Sequence, residues 1–136
     1  MKNIKTLWEC LGKTVPAPYT RNLQIVYTPQ MDPGMKDFTF LISTLYPVDG
    51  QTDYHIHPVD EMILILSGRG EAIMGEEKTT IEPGSVIYAP TGVRHQCKNY
   101  SDESMRMACF YIPALPDDAV NKIMEGATLR VPKESA

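Results

Sequence analysis

The chain has 136 residues, a formal net charge of −4 at pH 7 and a hydrophobic fraction of 43%. This length suits one domain whose hydrophobic core needs no disulfide bonds, and the composition is that of an ordinary globular protein. The mild negative charge and the lack of a basic run argue against nucleic acid or an anionic membrane as a partner. No stretch approaches the length of a membrane span, which gives a second reason to expect no membrane partner.

The cysteines indicate a reducing environment. Cys10, Cys97 and Cys109 are an odd number without the spacing of a disulfide framework. The first residues also lack the apolar run of a signal peptide. Both observations favour free thiols and a cytoplasmic location. Core packing is the simplest role for Cys97 and Cys109, and a redox pair or a sulfur atom near a metal is the alternative.

The chain divides into three predicted segments. Residues 1–22 are expected to form an N-terminal arm, residues 23–116 a β-barrel, and residues 117–136 a C-terminal helix and tail. The loop over residues 29–36 contains two methionines, and we expect it to pack on a second subunit rather than to act as a lid. An extended N-terminal arm with exposed apolar residues also favours a twofold homodimer.

Runs of β-branched and aromatic residues between glycines and prolines predict an all-β chain. The predicted strands cover residues 23–28, 38–46, 61–67, 70–74, 78–82, 85–89, 93–99, 105–112 and 128–131. A short helix is predicted over residues 118–124, with Asp117 or Asp118 as its cap and Gly126 after its end. Residues 132–136 are expected to fray. Many short strands and little helix favour a barrel over a sheet built from βαβ units.

All three histidines of the chain lie within one segment, residues 50–99. They are His55, His57 and His95, and Glu61 follows the first pair. Alternate side chains of a strand share a face, so His55 and His57 are expected to point the same way. Imidazole and carboxylate together suit a divalent first-row metal ion. A single histidine is more often an ordinary core or surface residue, so the surrounding pattern has to decide between the two interpretations.

That surrounding pattern resembles the two sequence motifs of the cupins. The first motif reads Gly-x5-His-x-His-x3,4-Glu-x6-Gly, and it corresponds to Gly50, His55, His57, Glu61 and Gly68. The second reads Gly-x5-Pro-x-Gly-x2-His-x3-Asn, and it corresponds to Gly84, Pro90, Gly92, His95 and Asn99. The first motif departs from the pattern at one place, because four residues rather than five separate its glycine from its first histidine.

The resemblance implies a small cupin double-stranded β-barrel, or jelly roll, that holds one divalent metal ion. The ligands it implies are His55, His57, Glu61 and His95. It also implies a homodimer. Iron, manganese, nickel, cobalt and zinc all tolerate three imidazoles and one carboxylate, so the sequence does not choose among them. An octahedral ion in this site would keep two positions open for water or substrate.

Three further residues are candidates for catalysis. Tyr88 and Tyr111 lie in predicted strands from which a hydroxyl could reach the cavity, and core packing is the alternative for both. Arg94 adjoins His95, and adjacent residues of a strand point to opposite faces, so Arg94 is expected outside the barrel or at its rim. Ile63 and Ile65 share the strand face of Glu61 and suggest an apolar pocket.

These observations predict a metal-dependent enzyme that acts on a small oxygenated molecule by Lewis-acid chemistry, of the lyase, isomerase or cyclase type. One alternative is a mononuclear iron dioxygenase. The free cysteines and methionines favour the non-redox type, because sulfur is vulnerable to oxygen species. The other alternative is a module that binds or senses a small ligand without turnover. A barrel with a purely structural role is disfavoured, because buried histidines without a purpose are costly.

Overall fold

The computed structural model describes residues 1–129, and most of the regular structure in this part of the chain is β-strand. The described strands are β1 Leu11–Val15, β2 Arg21–Tyr27, β3 Thr39–Leu45, β4 Asp60–Ile65, β5 Gly70–Met74, β6 Glu77–Ile81, β7 Val86–Ala89, β8 His95–Asn99, β9 Met105–Ile112 and β10 Thr128–Leu129. A 3₁₀ turn covers Leu7–Glu9, and the helix α1 covers Asp117–Met124. The predicted all-β jelly-roll barrel with a short C-terminal helix is confirmed.

The strands form two antiparallel sheets that enclose one core. The large sheet has the order β10-β1-β2-β3-β9-β4-β7, and the small sheet has the order β6-β5-β8. The main core cluster joins both sheets, because it includes Leu41 and Ile63 from the large sheet and Ala72 and Cys97 from the small one. This packing of two sheets leaves a cavity between their inner faces.

Strand β9 shows why the sequence forms this barrel. Its buried residues Met105, Met107, Cys109 and Tyr111 alternate with Arg106 and Phe110, which are partly exposed, although Ala108 is also buried. Side chains in a strand point to opposite faces in turn, so the first set faces the core. Strand β9 pairs with β3 on one side and with β4 on the other, so it is a central strand of the large sheet.

Residues 1–22 contain a strand that the sequence does not predict. Strand β1 pairs with β2 and with β10, so this part of the expected arm belongs to the large sheet. A second apolar cluster, built around Cys10, Val26 and Ile42, covers the outer face of the large sheet beside the 3₁₀ turn. Short strands such as β1 are easily missed, because five residues with a glycine show little alternation.

The C-terminal helix packs against the core of the barrel beside β1 and β2. Its buried residue Val120 belongs to the main core cluster. The helix begins at Asp117 with Pro116 in the N-cap position and no side-chain cap, so the predicted aspartate cap is wrong. Asp117 and Asp118 lie in the first turn instead, where their charges favour the positive end of the helix dipole.

Two features predicted from the sequence lie wholly or partly beyond residue 129, the last residue that the structure describes. The frayed tail, residues 132–136, and the end of the strand predicted over residues 128–131 lie outside residues 1–129. Among the described residues, no helical segment has both the length and the apolar character that crossing a membrane requires.

Candidate metal centre

A backbone bridge brings the two histidine-bearing segments together. The amide of His55 donates to the carbonyl of His95 over 3.1 Å, and the amide of His95 donates back over 3.0 Å. His95 is the first residue of β8, and Glu61 lies near the start of β4. His55 and His95, which are far apart in the sequence, are therefore direct neighbours in an antiparallel bridge.

The four predicted ligand side chains converge on one point. One nitrogen of each histidine and one oxygen of Glu61 all lie within 4.8 Å of one another. The Nε2 atoms of His55 and His57 are 2.7 Å apart. Glu61 Oε1 lies 3.0 Å from Nε2 of His57 and 3.0 Å from Nε2 of His95. Adjacent ligands of an octahedral ion are about 3 Å apart, because metal–nitrogen bonds measure about 2.1 Å, so these distances fit a metal ion.

The Nδ1 atoms of two of the histidines form hydrogen bonds with backbone carbonyl groups. Nδ1 of His55 lies 2.6 Å from the carbonyl oxygen of Asp53, and Nδ1 of His95 lies 3.1 Å from that of Val93. A carbonyl oxygen accepts a hydrogen bond and cannot donate one, so each Nδ1 carries the proton. In the neutral rings the Nε2 atoms then present lone pairs to the centre, which is the tautomer that a metal ion requires. A hydrogen bond from Nε2 of His95 to Glu61 exists only when that ring carries a second proton.

Glu61 is a buried carboxylate, with an exposed fraction of 4%. Burial raises its pKa, but the hydrogen bonds and charges of His57 and His95 outweigh burial and lower the pKa to about 2. Burial also lowers the pKa of His55, and the neighbouring His57 lowers it further. These shifts favour an ionised Glu61 and a neutral His55 at neutral pH, and both are the forms that bind metal.

Burial lowers the pKa of His95, whereas its hydrogen bond to Glu61 raises the pKa, and the net shift is upward. A proton on His95 therefore competes with a metal ion for the same position.

The four residues line a cavity of about 460 Å³ between the sheets. Its walls are mostly apolar, with Leu23, Leu41, Ile63 and Met107 among the lining residues. Helix α1 contributes Ala119, Lys122 and Ile123. A cavity of this size and character suits a small molecule. Ile63 lines it as the sequence predicts, whereas Ile65 is buried in the core instead.

The structure separates the three candidate catalytic residues. Tyr111 lines the cavity, and its ring centre is 5.0 Å from that of His57. Burial raises the pKa of Tyr111 well above its usual value, and the charge of Glu61 raises it further. Of the three, it alone lies beside the predicted ligands.

Tyr88 lies outside the cavity, which corrects the expectation that its hydroxyl could reach it. The side chain is 54% exposed, and its hydroxyl donates to Asp60 over 2.9 Å. Strand pairing explains this position, because Tyr88 lies opposite Met62 while the neighbouring pair is Glu61 and Ala89. Arg94 also faces outward, as predicted, with its guanidinium 5.5 Å from the ring centre of Tyr54.

Two of the cysteines face the cavity. Cys97 and Cys109 are both buried free thiols in its lining. Burial raises the pKa of Cys97 to about 12 and that of Cys109 well above its usual range. A thiol that stays protonated is a poor nucleophile and a poor ligand, so packing is the role that the structure supports.

Arg21 is a cavity residue to which the sequence assigns no role. Its side chain is 13% exposed, and Nη2 lies 3.6 Å from Oδ1 of Asp53. The same oxygen of Asp53 is 3.0 Å from Nδ1 of His55. Arg21 stands two residues before Leu23, which lines the cavity from the same strand. Residues two apart in a strand share a face, so this spacing could have placed Arg21 in the cavity. Arg21 was missed because the predicted N-terminal arm, residues 1–22, includes it.

Comparison with known proteins decides the family. A family model described as a cupin domain matches residues 42–111, slightly more than half of the chain. The chain belongs to the cupin family. The match includes His55, His57, Glu61, His95 and the cavity residue Tyr111, so the first and second motifs have the structural context that the resemblance implies.

Two curated relatives match part of this cupin. An uncharacterised protein of Streptomyces coelicolor is 37% identical over 71 residues, which cover 51% of this chain and 68% of that protein. An L-ectoine synthase of Aliivibrio fischeri is 32% identical over 87 residues, which cover 62% of this chain and 66% of the synthase. The chain thus spans just under two thirds of the length of that synthase.

Among solved structures, the cupin is similar to one described as a predicted oxalate decarboxylase from Thermotoga maritima. The TM-score is 0.68 at 16% sequence identity, and the match covers 81% of this chain and 98% of that chain. At this level of identity the similarity shows that the two proteins share a fold.

Proposed function

We propose that this cupin is a metal-dependent enzyme that acts on a small oxygenated molecule by Lewis-acid chemistry of the lyase, isomerase or cyclase type. One observation carries the proposal. Three imidazole nitrogens and one carboxylate oxygen converge within 4.8 Å on the wall of an apolar cavity. Buried ionisable groups are expensive to keep, so a cluster with two buried and two partly buried members, in which His55 and His95 direct their ring protons outward, argues for a ligand.

The ligands in this proposal are His55, His57, Glu61 and His95. Three neutral imidazoles and one carboxylate leave a divalent ion with a single net positive charge, and iron, manganese, nickel, cobalt and zinc all accept this set. Bound there, such an ion would polarise a carbonyl or enolate oxygen of the substrate. The side chains around it would hold the substrate and exclude water.

Tyr111 is the candidate catalytic hydrogen-bond donor. Its raised pKa keeps the phenol protonated at neutral pH, so it donates a hydrogen bond rather than acting as a base. Its ring packs edge-on against His57, with an angle of 89° between the two planes. A phenol held in this way can donate a hydrogen bond to a substrate oxygen at one defined place in the cavity.

Sulfur in the cavity favours the non-redox type of reaction over the dioxygenase alternative. Cys97, Met107 and Cys109 all line the cavity beside the proposed ligands. Activated oxygen would oxidise thiols and thioethers at such short range. The enzyme name of one relative, L-ectoine synthase, supports a catalytic cupin over one that only binds or senses a ligand.

We also propose a homodimer in a reducing compartment, the cytoplasm. Exposed apolar side chains, including Met62, Val86 and Ile112, stand on β4, β7 and β9 of the large sheet. A second copy would remove this surface from water. All three thiols are free, which suits a reducing compartment.

The experiment combines metal loading with a substrate screen. Protein purified without a histidine tag is loaded in turn with Mn²⁺, Fe²⁺, Co²⁺, Ni²⁺ and Zn²⁺, and small hydroxy, keto and amino acids are followed by NMR with and without oxygen. Metal-dependent conversion that does not consume oxygen supports the proposal. Conversion that requires oxygen favours the dioxygenase. Ligand-induced stabilisation without conversion of any compound favours the binding module.

A further inference from the structure

The cavity is positively charged although the chain as a whole is negative. Three cationic side chains, Lys13, Arg21 and Lys122, line it against two carboxylates, Asp53 and Glu61. The formal charge of the lining is therefore +1, whereas that of the whole chain is −4. A divalent ion at the proposed centre would raise the charge of the lining to +3. A small enclosed space with this sign attracts anions.

Arg21 is the cation best placed to bind an anion. Its guanidinium is held by the hydrogen bond from Nη1 to the carbonyl oxygen of Tyr19, at 3.1 Å. Its ionic partner is distant, because 3.6 Å to Asp53 is longer than a hydrogen bond, and the Asp53 side chain is 48% exposed. A guanidinium has five N–H donors, so most of them are available to a ligand in the cavity.

Ser43 provides an independent sign of a missing ligand. Its hydroxyl oxygen is buried and has no hydrogen-bond partner within residues 1–129. The residue is 3% exposed and lines the cavity, opposite Leu23 on β2 and Met107 on β9. An unpaired hydroxyl among apolar side chains is unfavourable, and a polar atom of a bound molecule would satisfy it.

From these observations we propose that the substrate is a small aliphatic carboxylate whose anionic end is bound by Arg21 and by the Ser43 hydroxyl, while its other oxygenated end faces the four-ligand centre. This inference rests on the proposed function for the position of the second end. Leu23, Leu41 and Ile63 form the wall that the aliphatic part would contact. Arg21 is thus a residue for substrate specificity, since it discriminates charged from neutral molecules of the same length.

The test uses dicarboxylates of different length as probes. Succinate, glutarate and adipate, with pentanoate as a singly charged comparison, are titrated calorimetrically into Co²⁺-loaded and metal-free protein. We expect one dicarboxylate to bind the loaded wild-type protein at least about tenfold more tightly than pentanoate. We expect Arg21→Gln to remove that preference, Arg21→Lys to retain part of it, and Ser43→Ala to weaken binding about three- to tenfold.

Folding and metal binding are checked separately for each variant. Circular dichroism and Co²⁺ stoichiometry show whether a variant is folded and loaded, and Lys78→Gln on the exposed strand β6 is the matched control for loss of a positive charge. Equal binding of dicarboxylates and pentanoate by the wild type would overturn the inference. So would a preference that persists in a folded Arg21→Gln variant.

The two proposals can fail independently. If Co²⁺ binds but Arg21 makes no difference, the inference is wrong and the metal centre stands. If Co²⁺ does not bind, the proposed function fails, and a carboxylate affinity of the metal-free wild type that Arg21→Gln abolishes would still support the anion site.

Discussion

Nε2 of His55 and Nε2 of His57 lie 2.7 Å apart. Two nitrogen lone pairs at this distance repel each other unless a proton or a cation lies between them. Nδ1 of His55 holds its proton against a carbonyl oxygen, so a second proton on this ring would give a buried cation. Either a proton on Nε2 of His57 or a metal ion bound by both rings removes this repulsion, and the metal ion also uses the lone pair of His95 and the carboxylate of Glu61.

We therefore expect the wild-type protein to bind one divalent metal ion per chain and His57→Ala to bind it at least about tenfold more weakly. The loss should be that large, because even removal of a group that only supports a ligand costs about 10–100-fold. Elemental analysis and metal titration measure the effect. Lys78→Ala, an exposed change on β6, serves as the control. Absence of metal from the wild type, or equal binding by the histidine variant, would refute the proposed centre.

Asn99 is predicted to be essential for stability rather than for the chemistry. Its side-chain nitrogen lies within hydrogen-bond distance of the carbonyl oxygens of Leu45, Tyr46 and Glu103, at 3.3, 3.1 and 2.8 Å. The residue is 1% exposed, and Asn99→Ala would remove these hydrogen bonds together with those that its Oδ1 accepts from the amide and hydroxyl of Ser101. We expect a loss of about 2–4 kcal/mol in the free energy of unfolding, measured by denaturant titration.

The control for this change is Asn121→Ala on the exposed side of α1, which should alter stability by less than about 0.5 kcal/mol. Similar losses for both variants would show that the buried hydrogen bonds of Asn99 contribute little.

The two glycines that bracket β5 should respond differently to alanine. A Cβ atom on Gly70 would lie 1.8 Å from the carbonyl oxygen of Lys98 in the paired strand β8, whereas one on Gly75 would have no atom within 4 Å. Gly75 has a φ of +61°, which costs an alanine about 1–2 kcal/mol. We expect Gly70→Ala to cost at least about 3 kcal/mol, because backbone has to move. Thermal unfolding of both variants measures the difference, and equal melting temperatures would contradict it.

The thiols are predicted to be unreactive in the folded protein. Cys10, Cys97 and Cys109 are 7%, 3% and 2% exposed, and burial raises the pKa of each thiol. Mass spectrometry after treatment with iodoacetamide at pH 8 should find little modification of native protein and three modified residues in denaturant. Rapid native modification of Cys97 would mean that the cavity opens far more than the structure shows.

The ligand cluster could be predicted from the sequence because each of its residues belongs to one of two short sequence motifs. His55 and His57 are two residues apart, and Glu61 and His95 occupy fixed places in two short motifs. Strand alternation alone does not explain the convergence, because His55 lies at an isolated bridge and His57 lies outside the described strands. Strand-forming runs between glycines and prolines predict an all-β barrel, and the resemblance to the cupin motifs implies the jelly roll.

The remaining site residues depend on strand register, which the sequence does not display. Tyr88 is directed outward because Glu61 is paired with Ala89, and a shift of one residue would have turned Tyr88 into the cavity. Arg21 enters the cavity because β2 pairs with β3 in a register that places it opposite Leu45. Such non-local pairings result from packing of the whole barrel rather than from any single segment.

Helix α1 places Ala119, Lys122 and Ile123 against the cavity, while every proposed ligand comes from the first and second motifs. The shape of the cavity and the coordinating atoms therefore come from separate parts of the sequence. Substitutions in the helix would change which molecules fit, and they would leave the coordinating atoms in place. Two such barrels with the same metal ligands would then differ in substrate through this helix alone.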